Sequence, residues 1–125
     1  MTSNAGRQIA GSILAGNLHN LRLDPVELGP EANNGDPNGR VGHICTREDD
    51  RAVSQAGIFE CDPFTLSATL SGDETVLVLE GELRIELGDG SAIDLGPGDL
   101  AMLPKGSETK FIYKTHVKEL FVVTR

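Results

Sequence analysis

Residues 73–106 (DETVLVLEGELRIELGDGSAIDLGPGDLAMLPKG) constrain the fold more than any other part of the chain. Leu83, Ile85 and Leu87 alternate strictly with Glu82, Arg84 and Glu86, the pattern of a strand with one face buried and one in water. Before it, residues 75–80 form an apolar, β-branched run that stops at Gly81. After it, Gly88-Asp89-Gly90 reads as a hairpin turn, because glycine supplies the positive φ that such turns require. Gly96-Pro97-Gly98-Asp99 makes a second turn, and Pro104 stands where a strand ends and needs no ladder donor.

The rest of the chain repeats this rhythm. Strands are expected over residues 40–46, 57–60, 64–70, 91–95, 99–103, 109–114 and 117–123, with turn residues between them. Fifteen glycines and six prolines in 125 residues favour this many-turned reading over a helical bundle. Residues 29–39 (GPEANNGDPNG) are a loop. Ile9, Ile13, Leu14, Leu18 and Leu21 are spaced for a short helix or for an arm packed on the barrel, and Gly11 and Gly16 weaken the helical option. The expected architecture is all-β: an N-terminal arm and loop over residues 1–40, then one small antiparallel β-barrel over residues 41–125. One domain is what this length supports.

Charge and apolar content exclude several classes of function. A net charge of −8 opposes nucleic-acid binding, which needs clustered Lys and Arg. No apolar run approaches the roughly 20 residues of a membrane span, so no membrane partner is expected. Residues 7–16 carry one basic residue and a short, interrupted apolar part, unlike a signal peptide. A cytoplasmic location, with Cys45 and Cys61 reduced, is therefore expected. The run Glu48-Asp49-Asp50, flanked by Arg47 and Arg51, lacks the spaced ligands and sharp Gly turn of a calcium loop and reads as solvated.

Glu74, Gly81, Gly98, Pro104 and Gly106 resemble the paired motifs of the cupin superfamily, small RmlC-like jelly-roll barrels. The first motif ends E-x6-G, matched by Glu74 and Gly81. The second runs G-x5-P-x-G-x2-H-x3-N, matched at Gly98, Pro104 and Gly106. A finer resemblance is to the ureidoglycine aminohydrolase-like cupin domains, through residues 57–64 (GIFECDPF), Asp73-Glu74-Thr75, Val78-Leu79-Glu80-Gly81 and the lead-in Gly35-Asp36-Pro37. Phe59 replaces that family's Trp and Phe64 its Gly, which alters packing in the first strand and leaves the fold assignment intact.

Metal-binding cupins take ligands from an H-x-H pair and Glu of the first motif and from His of the second. The resemblance places the pair at Ser67 and Thr69, or at Ala68 and Leu70 in a shorter spacing, and the last His at Thr109. Glu74 alone keeps a ligand type, and hydroxyls are poor ligands for transition metals. No metal or other cofactor is therefore expected. A weaker alternative joins Glu74 to His43, and His43 with Cys45 forms a strand H-x-C pair. His19 and His116 read as solvated, and Cys61, beside acidic residues, as structural.

Ser67, Thr69, Glu74, Thr109, Phe111 and Tyr113 are expected to point into the barrel as a mixed polar and aromatic lining for a small polar metabolite. Leu66, Ala68, Leu70 and Ile112 would then face outward and suit a homodimer interface. Three functions are open: metal-free binding of a small polar metabolite, a metal-dependent small-molecule enzyme resembling ureidoglycine aminohydrolases, and a non-catalytic accessory dimer.

Overall fold

The structure, a computed structural model, describes residues 7–9, 13–28, 32–33, 37–48 and 53–125. Its strands are β1 (Arg7–Ile9), β2 (Ile13–Ala15), β3 (Asp24–Pro25), β4 (Ala32–Asn33), β5 (Arg40–Glu48), β6 (Val53–Cys61) and β7 (Phe64–Thr69). There follow β8 (Asp73–Glu80), β9 (Leu83–Leu87), β10 (Ala92–Leu95), β11 (Leu100–Leu103), β12 (Glu108–Tyr113) and β13 (Val117–Thr124). Among the described residues there is no helix.

Two antiparallel sheets form the body, in the orders β10-β9-β12-β7-β4 and β11-β8-β13-β6-β5-β3. They are the two layers of a jelly roll and do not close into one continuous barrel. Non-sequential neighbours such as β8 and β13 bring distant motifs together, with Glu119 opposite Val78 and Val123 opposite Glu74.

The alternation of residues 82–87 is realised in β9: Leu83 and Ile85 are buried, while Arg84 on the other face pairs with Asp94 at 3.0 Å. With Val76, Val78, Phe64, Phe111, Tyr113, Cys61 and Val117 they form the core between the sheets. Each such aliphatic side chain contributes about 1.5–3 kcal/mol by leaving water. Gly81 has φ of +91°, and a Cβ there would collide with the His116 carbonyl, so the turn between β8 and β9 requires glycine.

The N-terminal segment differs from a helix. β1 and β2 pair as a hairpin, Arg7 opposite Ala15, and β3 and β4 add to the edges of the two sheets through β5 and β7. Leu21 and Leu23 pack beside Gly42, where an added Cβ would meet both side chains and the Arg22 carbonyl. The acidic residues Asp49 and Asp50, the lead-in Gly35-Asp36 and the side chain of Cys45 lie outside the described residues.

Candidate functional site

A cavity of about 300 Å³ lies between the sheets, and its polar lining is His43, Gln55, Glu74, Tyr113 and Glu119. Its apolar walls include Phe59, Leu66, Phe121 and Val123, with Val26 and Leu28 from the segment after β3. Sheet register explains the grouping. Val123 faces Glu74 and Gln55 across β13, and Phe121 faces Val76 and Gly57, so inward residues of β6, β8 and β13 line up in rows.

Glu119 is 3% exposed, and the Tyr113 hydroxyl donates to its Oε1 at 2.7 Å. Burial pushes its pKa up to about 8; the Tyr113 hydrogen bond opposes the rise and the nearby Glu74 charge adds to it. The Glu74 carboxyl is also raised, again mainly by burial, with Arg125 pulling it back. Burial and the adjacent Glu119 hold the Tyr113 phenol well above its usual range. Two carboxyl groups at one cavity wall thus resist ionising together. Tyr113 is fixed by its rings of neighbours: Phe64 stacks on it at 5.0 Å between centroids and Phe59 meets it edge-on at 5.9 Å. Phe59 and Phe64, the two departures from the ureidoglycine-type pattern, therefore build one aromatic wall.

The expected lining is only partly assembled. Glu74 and Tyr113 line the cavity, and so does His43, set edge-on to Phe121 at 5.9 Å. Phe111 is buried beside Tyr113 as core. Thr109 is buried, but its hydroxyl donates to the Ala68 carbonyl at 2.8 Å and so serves the sheet. Ser67 and Thr69 do not face inward: both are exposed, on the face opposite Phe64, Leu66 and Ala68, and they meet Thr109 only around a separate, open pocket of β7 and β12. The register of β7 with β12 sets Ala68 against Thr109 and Leu66 against Phe111, placing the apolar residues of β7 with the core. Leu66, Ala68 and Leu70 are accordingly not an outer apolar face. The exposed large apolar side chains are Leu100, Met102 and Val122, on the other sheet.

This phase also decides the fit of a metal. The shorter motif spacing, Ala68 and Leu70, is the inward one, and neither side chain has a donor atom. Glu74 and His43 share the cavity, but among the described residues no group of three or more His, Cys, Asp or Glu is placed to hold a metal ion. The register shifts between His43 and Cys45, interrupting the alternation on which their pairing rested. Among the described residues, the side chains at the cupin ligand positions supply one carboxylate, that of Glu74, and no imidazole.

Glu119 and Gln55 were not singled out by the sequence reading. Their signal is the β13 series Val117, Glu119, Phe121, Val123 and its partner row in β6, yet the opposite series Lys118, Leu120, Val122 is nearly as apolar. Outside the cavity, His116 is not simply solvated. Its Nδ1 lies 2.9 Å from Asp62 and its Nε2 2.6 Å from Glu60, and Arg40 also reaches Glu60 at 3.1 Å. Cys61 is fully buried, and burial with the nearby acids Glu119, Asp62 and Glu60 pushes its thiol up to about 12, in keeping with a structural role.

The sequence model of the EutQ-like cupin domain matches residues 48–121. A protein of Salmonella typhimurium called acetate kinase EutQ is 36% identical over 75 residues, which are 60% of this chain and 32% of that protein. Its Escherichia coli namesake is 35% identical over 74 residues, 59% of this chain and 31% of that one. Among solved structures, an ethanolamine utilization protein EutQ of Salmonella typhimurium superposes with a TM-score of 0.76 at 24% identity, over 94% of this chain and 90% of that one. EutQ of Clostridium difficile gives 0.66 at 22% identity, over 89% and 86%. At these identities the superpositions establish the fold.

Proposed function

The chain belongs to the EutQ-like cupin domain family, and from that premise we propose that it binds a small polar metabolite, without a transition metal, in the cavity between its sheets. The observation that carries this reading is the cavity itself: about 300 Å³, with Glu74, Glu119, Tyr113, His43 and Gln55 set against aromatic and aliphatic walls. A few placed polar groups in an apolar concavity are the usual form of a small-molecule site. A structural core would fill that volume, since interiors are close-packed.

The name of the curated relatives suggests acetate and a phosphoryl donor as ligands. Among the described residues the cavity lining holds no Lys or Arg to neutralise either anion, and this chain matches about a third of those proteins, so that activity is not the favoured reading here. A metal-dependent aminohydrolase would need ligands beyond Glu74 and His43.

The test is thermal unfolding of the untagged chain against a panel of small amines, amides, sugars and carboxylates, with metal analysis alongside. A ligand present at a hundred times its Kd adds about 2.7 kcal/mol, a shift of several degrees. The reading fails if no compound shifts the transition, and its metal-free part fails if zinc, manganese or nickel is present stoichiometrically.

A further inference from the structure

Among the described residues the cavity lining carries two carboxyl groups and no Lys or Arg, while Arg125, outside the lining, acts on Glu74. Glu119 is nearly inaccessible, and Tyr113 donates to its Oε1. A carboxylate set among apolar walls needs a donor or a positive charge beside it. Beside them stand the rings of Phe59, Tyr113 and Phe121, whose π-faces attract positive charge.

We infer that this cavity takes a small organic cation, a primary alkylammonium of a few carbon atoms, whose N–H groups donate to Glu74 and Glu119 while its alkyl part lies on the aromatic and aliphatic walls. The inference rests on the reading that the cavity is a ligand site and names the class of ligand. An ammonium group brings three donors and no acceptor, which matches the oxygens of the two carboxyl groups. The volume equals about ten waters at roughly 30 Å³ each, which leaves room for a short alkylammonium of up to about ten heavy atoms. A divalent metal is a poorer match, because it demands four to six ligands and two carboxyl groups supply too few. The net charge of −8 favours the approach of a cation.

Binding is coupled to a proton. The groups facing Glu119 are Glu74 from β8, Tyr113 from β12 and Cys61 from β6; His43 of β5 lines the same cavity, and Arg125 acts on Glu74. When the ammonium arrives, the neutral Glu119 carboxyl gives its proton to solvent and the carboxylate pairs with the cation. One proton is released per cation bound, so the Kd rises about tenfold for each unit that the pH drops below the pKa of Glu119.

The experiment is calorimetric titration of the full chain with ethylammonium chloride at pH 6.5 and 7.5, in two buffers of different ionisation enthalpy. Sodium acetate and sodium chloride serve as controls. Expected are saturable binding, release of about one proton, roughly tenfold tighter binding at the higher pH, and no binding of acetate. E119Q and E74Q are each expected to weaken binding at least tenfold while keeping the near-UV circular dichroism of the parent; F121L, which keeps both acids and removes one ring, reports the walls if either acid variant fails to fold. If an amide, sugar or carboxylate of the panel binds and ethylammonium does not, the cation inference is overturned and the cavity reading stands. If nothing binds, both fall. Ethylammonium binding that is indifferent to E119Q, E74Q and F121L overturns the location.

Discussion

Glu119 and Tyr113 show how a charged residue type survives in an apolar interior. The carboxyl group is kept neutral over most of the physiological range by burial, and one phenolic donor satisfies an oxygen. Tyr113→Phe removes that donor and should cost about 1–2 kcal/mol in urea unfolding, more at pH 9 than at pH 6, because the ionised form of Glu119 loses most. An equal cost at both values would mean that the hydroxyl does not serve the carboxylate. Cys61 tests the same environment from the other side. Its thiol is buried and pushed up to about 12, so iodoacetamide at pH 8 should leave Cys61 unlabelled in the native protein and label it fully in guanidinium, as read by peptide mass spectrometry. Fast native labelling would place it at the surface. Residue roles at this scale were only half legible in sequence. Glu74 could be found because a motif fixed its place, whereas Glu119 sits in a strand whose two faces are nearly equal in apolar content.

Strands were easier to read than the faces they present. The turns at Gly81, Gly90, Gly98 and Gly106, all with φ near +90°, bound β8 to β12 close to where the sequence put them. The error at β7 has a clear cause. Phe64, Leu66, Ala68 and Leu70 alternate with Thr65, Ser67 and Thr69, and this period of two already points the apolar set inward. Assigning ligand positions by the longer motif spacing reversed the phase and turned Ser67 and Thr69 to the inside. The short strands before residue 40 leave no periodicity in the sequence, because their pairings are only two or three residues long. Turns make their own predictions. Gly81→Ala must leave φ of +91° and clear the His116 carbonyl, so it should destabilise the fold by at least about 1–3 kcal/mol in chemical unfolding, and a neutral result would require the turn to rearrange. The next turn residue, His116, is held between Asp62 and Glu60, and those hydrogen bonds raise its pKa above 6.5. Its imidazole should titrate above that value by NMR, and Asp62→Asn should lower the midpoint. An unchanged midpoint in Asp62→Asn would break the clamp.

For the whole molecule these local shifts add up in one direction. Glu119 and Glu74 have pKa values raised above the carboxylate reference of 4.5, so the folded state holds protons that the unfolded chain releases. Stability must then fall as pH rises above about 4.5, and Glu119's share stops falling only above about 8. His116 adds to the same slope: its contribution is complete below 6.5 and is lost as pH rises through its raised folded value. Asp62 and Asp89 act oppositely, since their lowered values make stability fall as pH drops below 3.8. The growing negative charge of an acidic chain reinforces the loss at high pH. The stability maximum is therefore expected near pH 5, on the acid side of the usual range. From pH 5 to pH 8 the loss should be on the order of 3 kcal/mol, seen as a Tm lower by roughly 10 °C or more in calorimetry. Glu119→Gln should flatten most of that slope, because an amide fills the same space without a proton to lose. A Tm that is level or rising across this window, or a slope that survives Glu119→Gln intact, would show that the buried carboxyl does not govern how the two sheets hold together. The same variant would then have no reason to weaken a bound cation, so the stability profile and the ligand titration test one arrangement of charge by independent routes.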